Sequence, residues 1–292
     1  MALFGSDFLK RLEYLSLVSR RVFRGSLLAQ RRTTQFGAGI EFADHREYAA
    51  GDDLRYLDWN VYARHGDMLL KRFQEEEDLH VYFLLDCSPS MGFGDPAKFD
   101  LARRATAALA YVALANLDRI SVIAFADRIV ADFPLARGKN RILSLLEFLE
   151  DLPLEGGDTN FGASMQEFVR RNQRVGLAIV VSDLFAPDGF ERGLDLLRHR
   201  RYEPHVLQLH DPREARPDLL GDVELFDVEN GSTRKVTVTE KALATYRRLF
   251  DEHQAAVAEY CRERGIGCTQ ATTATPFDDL ILRMMRVAGA VA

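Results

Sequence analysis

Residues 81–90 read VYFLLDCSPS. A run rich in β-branched and aromatic residues, bounded by turn-forming residues, marks a buried strand. This one ends in Asp86, and Ser88 and Ser90 follow at two-residue intervals. A strand-ending Asp-x-Ser-x-Ser sets one carboxylate and two hydroxyls on a single turn. Hard oxygen donors of this kind suit Mg²⁺, which prefers octahedral oxygen coordination and keeps several waters. The same residues also fit an ordinary turn, where Asp and Ser are common.

Two downstream segments make the pattern more specific. GGDTNFGAS (156–164) is a Gly-rich loop running into a helix, with the Thr159 hydroxyl available and Asp158 either adding charge or facing solvent. GLAIVVSD (176–183) is a second buried strand, ending in Ser182 and Asp183. Ligand sites of open α/β sheets lie beyond the carboxyl ends of the strands, at the topological switch point. Each piece has a structural alternative: a turn at Asp86 and Ser88, a helix cap at Thr159, and a cap at Asp183 for a helix near 189. Their order and their placement at strand ends favour one shared site.

Strand-like runs and helical segments alternate from about residue 80. Strands are expected at 81–86, 119–126, 176–183, 205–210 and 267–273, with a neighbouring edge strand at 129–135. Helices are expected at 98–116, 141–152, 161–172, 189–200 and 277–288, with a long one from Thr239 to Gly265. This rhythm gives an α/β fold with a doubly wound, mainly parallel sheet covered on both faces. DVELFDVENGSTRKVTV (222–238) breaks it and reads as a β-hairpin around Asn230-Gly231, inserted near 211–238. The domain reading is an N-terminal extension of helix and short strands over 1–79, then the α/β domain over 80–292.

Apolar residues make up 47% of the 292-residue chain and charged residues 28%, enough for a sizeable core in a soluble protein. The net charge of −6 argues against general nucleic-acid binding. Lys10, Arg11, Arg20, Arg21, Arg24, Arg31 and Arg32 nevertheless make residues 1–40 basic. They read as a solvated face or as a docking surface for an acidic partner or anionic membrane. Cys87, Cys261 and Cys268 lack paired spacing, which fits a reducing compartment. With neither a signal-peptide core nor a transmembrane segment of roughly 18 apolar residues, the expected location is cytoplasmic.

The Asp86, Ser88, Ser90, Thr159 and Asp183 set resembles the metal-ion-dependent adhesion site, or MIDAS, of von Willebrand factor A domains. The resemblance implies direct metal ligation by Ser88 and Ser90, direct or water-mediated ligation by Thr159, and water-mediated roles for Asp86 and Asp183. The metal would be Mg²⁺ or Mn²⁺, with one position open for a partner's Asp or Glu. Upstream, Arg46, Tyr48, Gly51, Asp52, Asp53, Arg55, Asp58, Trp59 and Arg64 form an R-x-Y-x-x-G-D-D-x-R-x-x-D-W pattern with a following arginine. It resembles the bacterial family called domain of unknown function fifty-eight, in which it adjoins a von Willebrand A-like domain. That family's frequent proximity to MoxR-type AAA+ ATPases implies a protein-interaction or adaptor role beside such an ATPase. The motif itself reads as a turn with ion pairs, Arg55 and Arg64 meeting Asp58 or nearby glutamates, or as a partner site.

The expected function is therefore non-enzymatic. The rival is a metal-dependent hydrolase or phosphatase using Asp86 and Asp183, although a haloacid-dehalogenase-like enzyme would want a second Asp where Ser88 stands. The chain has no G-x-S-x-G elbow and no G-x-x-x-x-G-K-[ST] loop. Its seven histidines are scattered, without H-E-x-x-H.

Overall fold

The computed structural model describes residues 3–22, 32–37, 41–76, 79–155, 159–229 and 231–290. The chain divides into two compact units, one formed by 1–22 with 79–291 and the other by 23–78. Helix α1 (Ser6–Val22) belongs with the larger unit, whereas the sequence reading groups it with the N-terminal extension. The reason is its apolar stripe. Leu12 and Leu15 are fully buried, and Phe8 packs 5.6 Å from Phe277.

The larger unit is built on a six-stranded sheet of β4 (His80–Asp86), β5 (Arg119–Phe125), β6 (Ile129–Arg137), β7 (Leu177–Ser182), β8 (Glu203–His210) and β11 (Gly267–Thr272). Their spatial order is β11-β8-β7-β4-β5-β6, parallel except for the antiparallel edge strand β6. Renumbered along the chain this is the doubly wound order 3-2-1-4-5-6, whose switch point lies between its first and fourth strands. Those strands are β4 and β7, so Asp86 and Ser182-Asp183 emerge side by side at the crevice where such folds bind ligands.

Every residue of β4 is buried, as a central strand covered on both faces requires. Helix α3 (Lys98–Ala115) lies on one face. Its Ala102, Ala105, Ala107, Ala108 and Ala110 are wholly buried, and their small side chains let the helix approach the sheet closely. On the other face Tyr82 and Leu84 join a core with Phe161, Met165 and Phe168 of α5 (Phe161–Arg171) and Leu194 and Leu197 of α6 (Glu191–His199). Helices α4 (Ile142–Asp151), α8 (Glu240–Glu263) and α9 (Phe277–Ala290) complete the layers. The hairpin forms as β9 (Gly221–Phe226) and β10 (Thr233–Val238), in register from Gly221 opposite Val238 to Phe226 opposite Thr233. Asn230 lies outside the described residues.

The smaller unit contains a three-stranded antiparallel sheet, order β1-β3-β2, of β1 (Arg32–Gly37), β2 (Glu41–Glu47) and β3 (Leu69–Glu76), with the short helix α2 (Trp59–His65).

Helices α5 and α6 pack closely at Gly193, where an added Cβ would meet the buried Phe161 ring at 2.3 Å. Gly193→Ala should therefore lower the unfolding free energy by about 1–3 kcal/mol in urea, despite the better helix propensity of alanine. Unchanged stability would show that this contact is not tight.

Candidate metal site at the switch point

Asp86 closes β4 and is 1% exposed. One carboxylate oxygen accepts the Ser88 N–H at 2.9 Å, and the other accepts the Ser182 hydroxyl at 2.6 Å. Burial, then the nearby charge of Asp183, pushes its carboxyl up to about 7. The site is therefore short of positive charge around Asp86. Ser182, not among the predicted site residues, orients Asp86 from the neighbouring strand and also accepts the Leu184 N–H.

Ser88 starts the 3₁₀ turn Pro89–Gly92 without spending its hydroxyl on a cap. Its Oγ lies 3.1 Å from Ser90 Oγ. Adjacent oxygens in a Mg²⁺ octahedron with bonds near 2.0–2.1 Å stand about 3 Å apart, so the two hydroxyls fit one cation. Thr159 is buried, and Asn160 caps α5 instead by accepting the Ala163 N–H at 2.8 Å. The Thr159 hydroxyl is thereby left for the crevice. Gly156, Gly157 and Asp158 of the predicted loop lie outside the described residues.

Asp183 does not cap the following helix. Its Oδ1 accepts the Phe185 N–H, and its Oδ2 receives Lys98 Nζ at 2.7 Å. Lys98 is wholly buried and also meets Glu214 Oε1 at 2.5 Å. Burial alone would lower its ammonium pKa, but Asp183 and Glu214 outweigh that and hold it above the ordinary lysine value. Glu214 is delivered by the short helix α7 (Pro212–Ala215), where Asp211 and Glu214 form a reciprocal capping box. Sequence reasoning missed both Lys98 and Glu214.

The third unforeseen residue is Glu229, at the tip of the β9–β10 hairpin. Its Oε1 accepts the Ser90 N–H at 3.1 Å and its Oε2 accepts the Thr159 hydroxyl at 3.4 Å. Hydrogen bonds link Asp86 to Ser88 and Ser88 to Ser90, Glu229 joins Ser90 to Thr159, and Asp183 lies close enough to Asp86 for its charge to act there. Two carboxylates, Asp183 and Glu214, hold the Lys98 ammonium, while Asp86 feels the charge of Asp183 and Glu229 contacts Ser90 and Thr159. Among the described residues no group of three or more His, Cys, Asp and Glu is arranged to hold a metal. A cation here would therefore depend on the Ser88, Ser90 and Thr159 hydroxyls, with the carboxylates behind them balancing charge. The donor chemistry fits Mg²⁺ or Mn²⁺.

Cys87 is a buried packing residue. Its Sγ contacts Phe125 O at 3.1 Å, and burial raises its thiol pKa to about 12.

The upstream motif folds onto itself. Gly51 takes a left-handed φ of 106° in a turn where Asp52 accepts from Arg46 Nη2 at 2.5 Å and from the Ala49 N–H. Arg55 pairs with Asp53 rather than Asp58, because Asp53 begins the adjacent 3₁₀ turn and accepts both the Arg55 N–H and its guanidinium. Asp58 instead caps α2 and meets His45 at 3.0 Å and Lys71 at 3.5 Å. Arg64 makes no ion pair with a described residue. The Tyr48 N–H bonds to Met68 O, and Trp59 remains 60% exposed beside Tyr62.

The family model described as "Protein of unknown function DUF58" matches residues 44–257. The chain belongs to this family. It is 27% identical over 233 residues to the uncharacterized protein Rv1480 of Mycobacterium tuberculosis, covering 78% of this chain and 73% of that one. An uncharacterized protein of Mycobacterium avium is 27% identical over 134 residues, covering 45% of this chain and 79% of that one. Similar solved structures include the conserved hypothetical protein BatB of Bacteroides thetaiotaomicron, at 15% identity and TM-score 0.44 over 73% of this chain and 98% of that one. Another is proximal thread matrix protein 1 of the mussel byssus with a zinc-occupied MIDAS motif, at 12% identity and TM-score 0.44 over 72% of this chain and 48% of that one.

Lys98→Met should cost about 3–5 kcal/mol of unfolding free energy, measured in urea with EDTA, because Asp183 and Glu214 lose their buried countercharge. A cost below about 1 kcal/mol would contradict the role given to this lysine.

Proposed function

We propose that this protein is a divalent-metal-dependent protein-interaction module rather than an enzyme. The observation that carries the reading is the pair of Ser88 and Ser90 hydroxyls 3.1 Å apart beside the buried Asp86, with Thr159 joined to Ser90 through the Glu229 carboxylate. Ser88, Ser90 and Thr159 would hold Mg²⁺ or Mn²⁺ directly. Asp86 and Asp183 would orient its waters and balance its charge. Neutral hydroxyl ligands leave a bound cation electrophilic, and it would then attract an acidic side chain on a partner.

The geometry around Asp86 supports binding over phosphoryl or acyl transfer. Both of its oxygens already accept hydrogen bonds, and the carboxyl is almost fully enclosed. Each oxygen keeps a lone pair for a cation-bound water, but a nucleophile also needs room for a substrate's reacting atom, which this enclosure does not give. Asp183 is likewise enclosed, at 2% exposure, and is held by Lys98 and the Phe185 N–H. The sequence resemblance implies a MoxR-type AAA+ ATPase or its client as the partner, with the ATPase supplying the energy for remodelling. No helix among the described residues is long and apolar enough to cross a membrane.

Calorimetric titration of Mg²⁺ and Mn²⁺ into metal-stripped protein tests the reading. Wild type should bind saturably, and Ser90→Ala should bind at least about tenfold more weakly with unchanged metal-free stability. Ser90 suits this comparison because substituting Asp183 would also expose Lys98 to the loss of a structural partner. A candidate ATPase should be retained by the immobilised protein with Mg²⁺ and released by EDTA. Absence of saturable metal binding both alone and with partner present, or equal binding by Ser90→Ala, would sink the proposal.

A further inference from the structure

The β9–β10 hairpin is mostly exposed along both strands, yet its tip turns back to the crevice. The tip is shaped by its own bonds. Asp227 Oδ1 accepts the Glu229 N–H at 2.9 Å, the Asp227 N–H donates to Ser232 O at 2.8 Å, and the Gly231 N–H donates to Asp227 O at 2.9 Å. Gly231 adopts a left-handed φ of 71°, a conformation that glycine permits without the steric cost of a side chain. The result is a carboxylate between Ser90 and Thr159, residues contributed by two different loops.

We infer that Glu229 is a carboxylate ligand carried by the chain itself, held by the hairpin at the mouth of the Ser88–Ser90–Thr159 site, where a partner's Asp or Glu must displace it. This rests on the metal reading above and adds its regulation. Ser90 and Thr159 present an N–H and an O–H to one carboxylate, the group that the open metal position is proposed to take from a partner. The hairpin therefore competes from within the molecule at a high effective concentration. Apparent affinity for an acidic partner is reduced to the extent that the hairpin stays docked, and any contact that withdraws the hairpin raises it. No backbone rearrangement of the α/β core is required, because the competing group belongs to an exposed hairpin.

The test uses the full chain, with Glu229→Ala and Glu229→Gln beside wild type. Mn²⁺ is the metal probe and acetate the carboxylate probe. Glu229→Ala should bind Mn²⁺ about tenfold more weakly than wild type, comparable to other losses of ligand support in metal sites. Acetate should restore much of that affinity in Glu229→Ala while leaving wild type unchanged. Hydrogen exchange in metal-free protein supplies an independent reading: the Ser90 amide should be protected in wild type and lose protection in Glu229→Ala. Wild-type Mn²⁺ affinity in both variants without an acetate effect would overturn the ligand role while leaving the metal site standing. Equal Ser90 exchange in all three proteins would overturn the docked contact itself. Failure of every form to bind Mn²⁺ would remove the metal reading and the ligand role together.

Discussion

The buried ammonium of Lys98 organises the crevice. Lys98 has no exposed surface, and Asp183 and Glu214 bind it from the ends of two different segments. Burying an unpaired ammonium would be prohibitive, so the lysine depends on both carboxylates. They in turn depend on it, since Asp86 and Asp183 already crowd negative charge into the same enclosed space. Removing Lys98 would leave that charge without an internal partner. Lys98 pairs with Asp183 and Glu214 and not with Asp86, so the proposed divalent cation would supply the countercharge on the Asp86 side.

The sheet order explains how residues almost a hundred positions apart come together. Asp86 and Ser182 lie 96 residues apart in the chain, yet β4 and β7 are hydrogen-bonded neighbours that diverge in their onward connections. The crevice thus opens where two chain directions part, and the 3₁₀ turn carrying Ser90 and the loop carrying Thr159 close over it. The capping arrangement follows the same logic. Asn160 caps α5, leaving Thr159 for the crevice, while Asp211 caps α7 and sets Glu214 against Lys98.

Much of this was legible in the sequence for a physical reason. Buried parallel strands announce themselves by apolar runs, and the polar residues just beyond them, Asp86, Ser88, Ser90 and Asp183, mark the strand ends; Thr159 comes from a Gly-rich loop, and the resemblance to the metal-ion-dependent adhesion site joins it to them. Lys98, Glu214 and Glu229 are hidden because each is one charged residue on a helix or hairpin whose partners lie 70 or more residues away. Lys98 did leave a trace. It opens α3 behind an alanine that provides no side-chain cap, at the helix end where a cation is locally unfavourable. Asp211-Pro212-Arg213-Glu214 likewise carried the spacing of a capping box. Glu229 left no trace beyond a turn. The grouping of α1 could not be read from sequence either, since an amphipathic stripe shows that a helix packs but not against what.

The most direct test of the metal reading is an anomalous-scattering map from crystals of the whole chain grown with Mn²⁺. One peak bounded by the Ser88, Ser90 and Thr159 hydroxyls is expected, with Lys98 still paired to Asp183. No peak there at saturating Mn²⁺, or a peak elsewhere only, would contradict it.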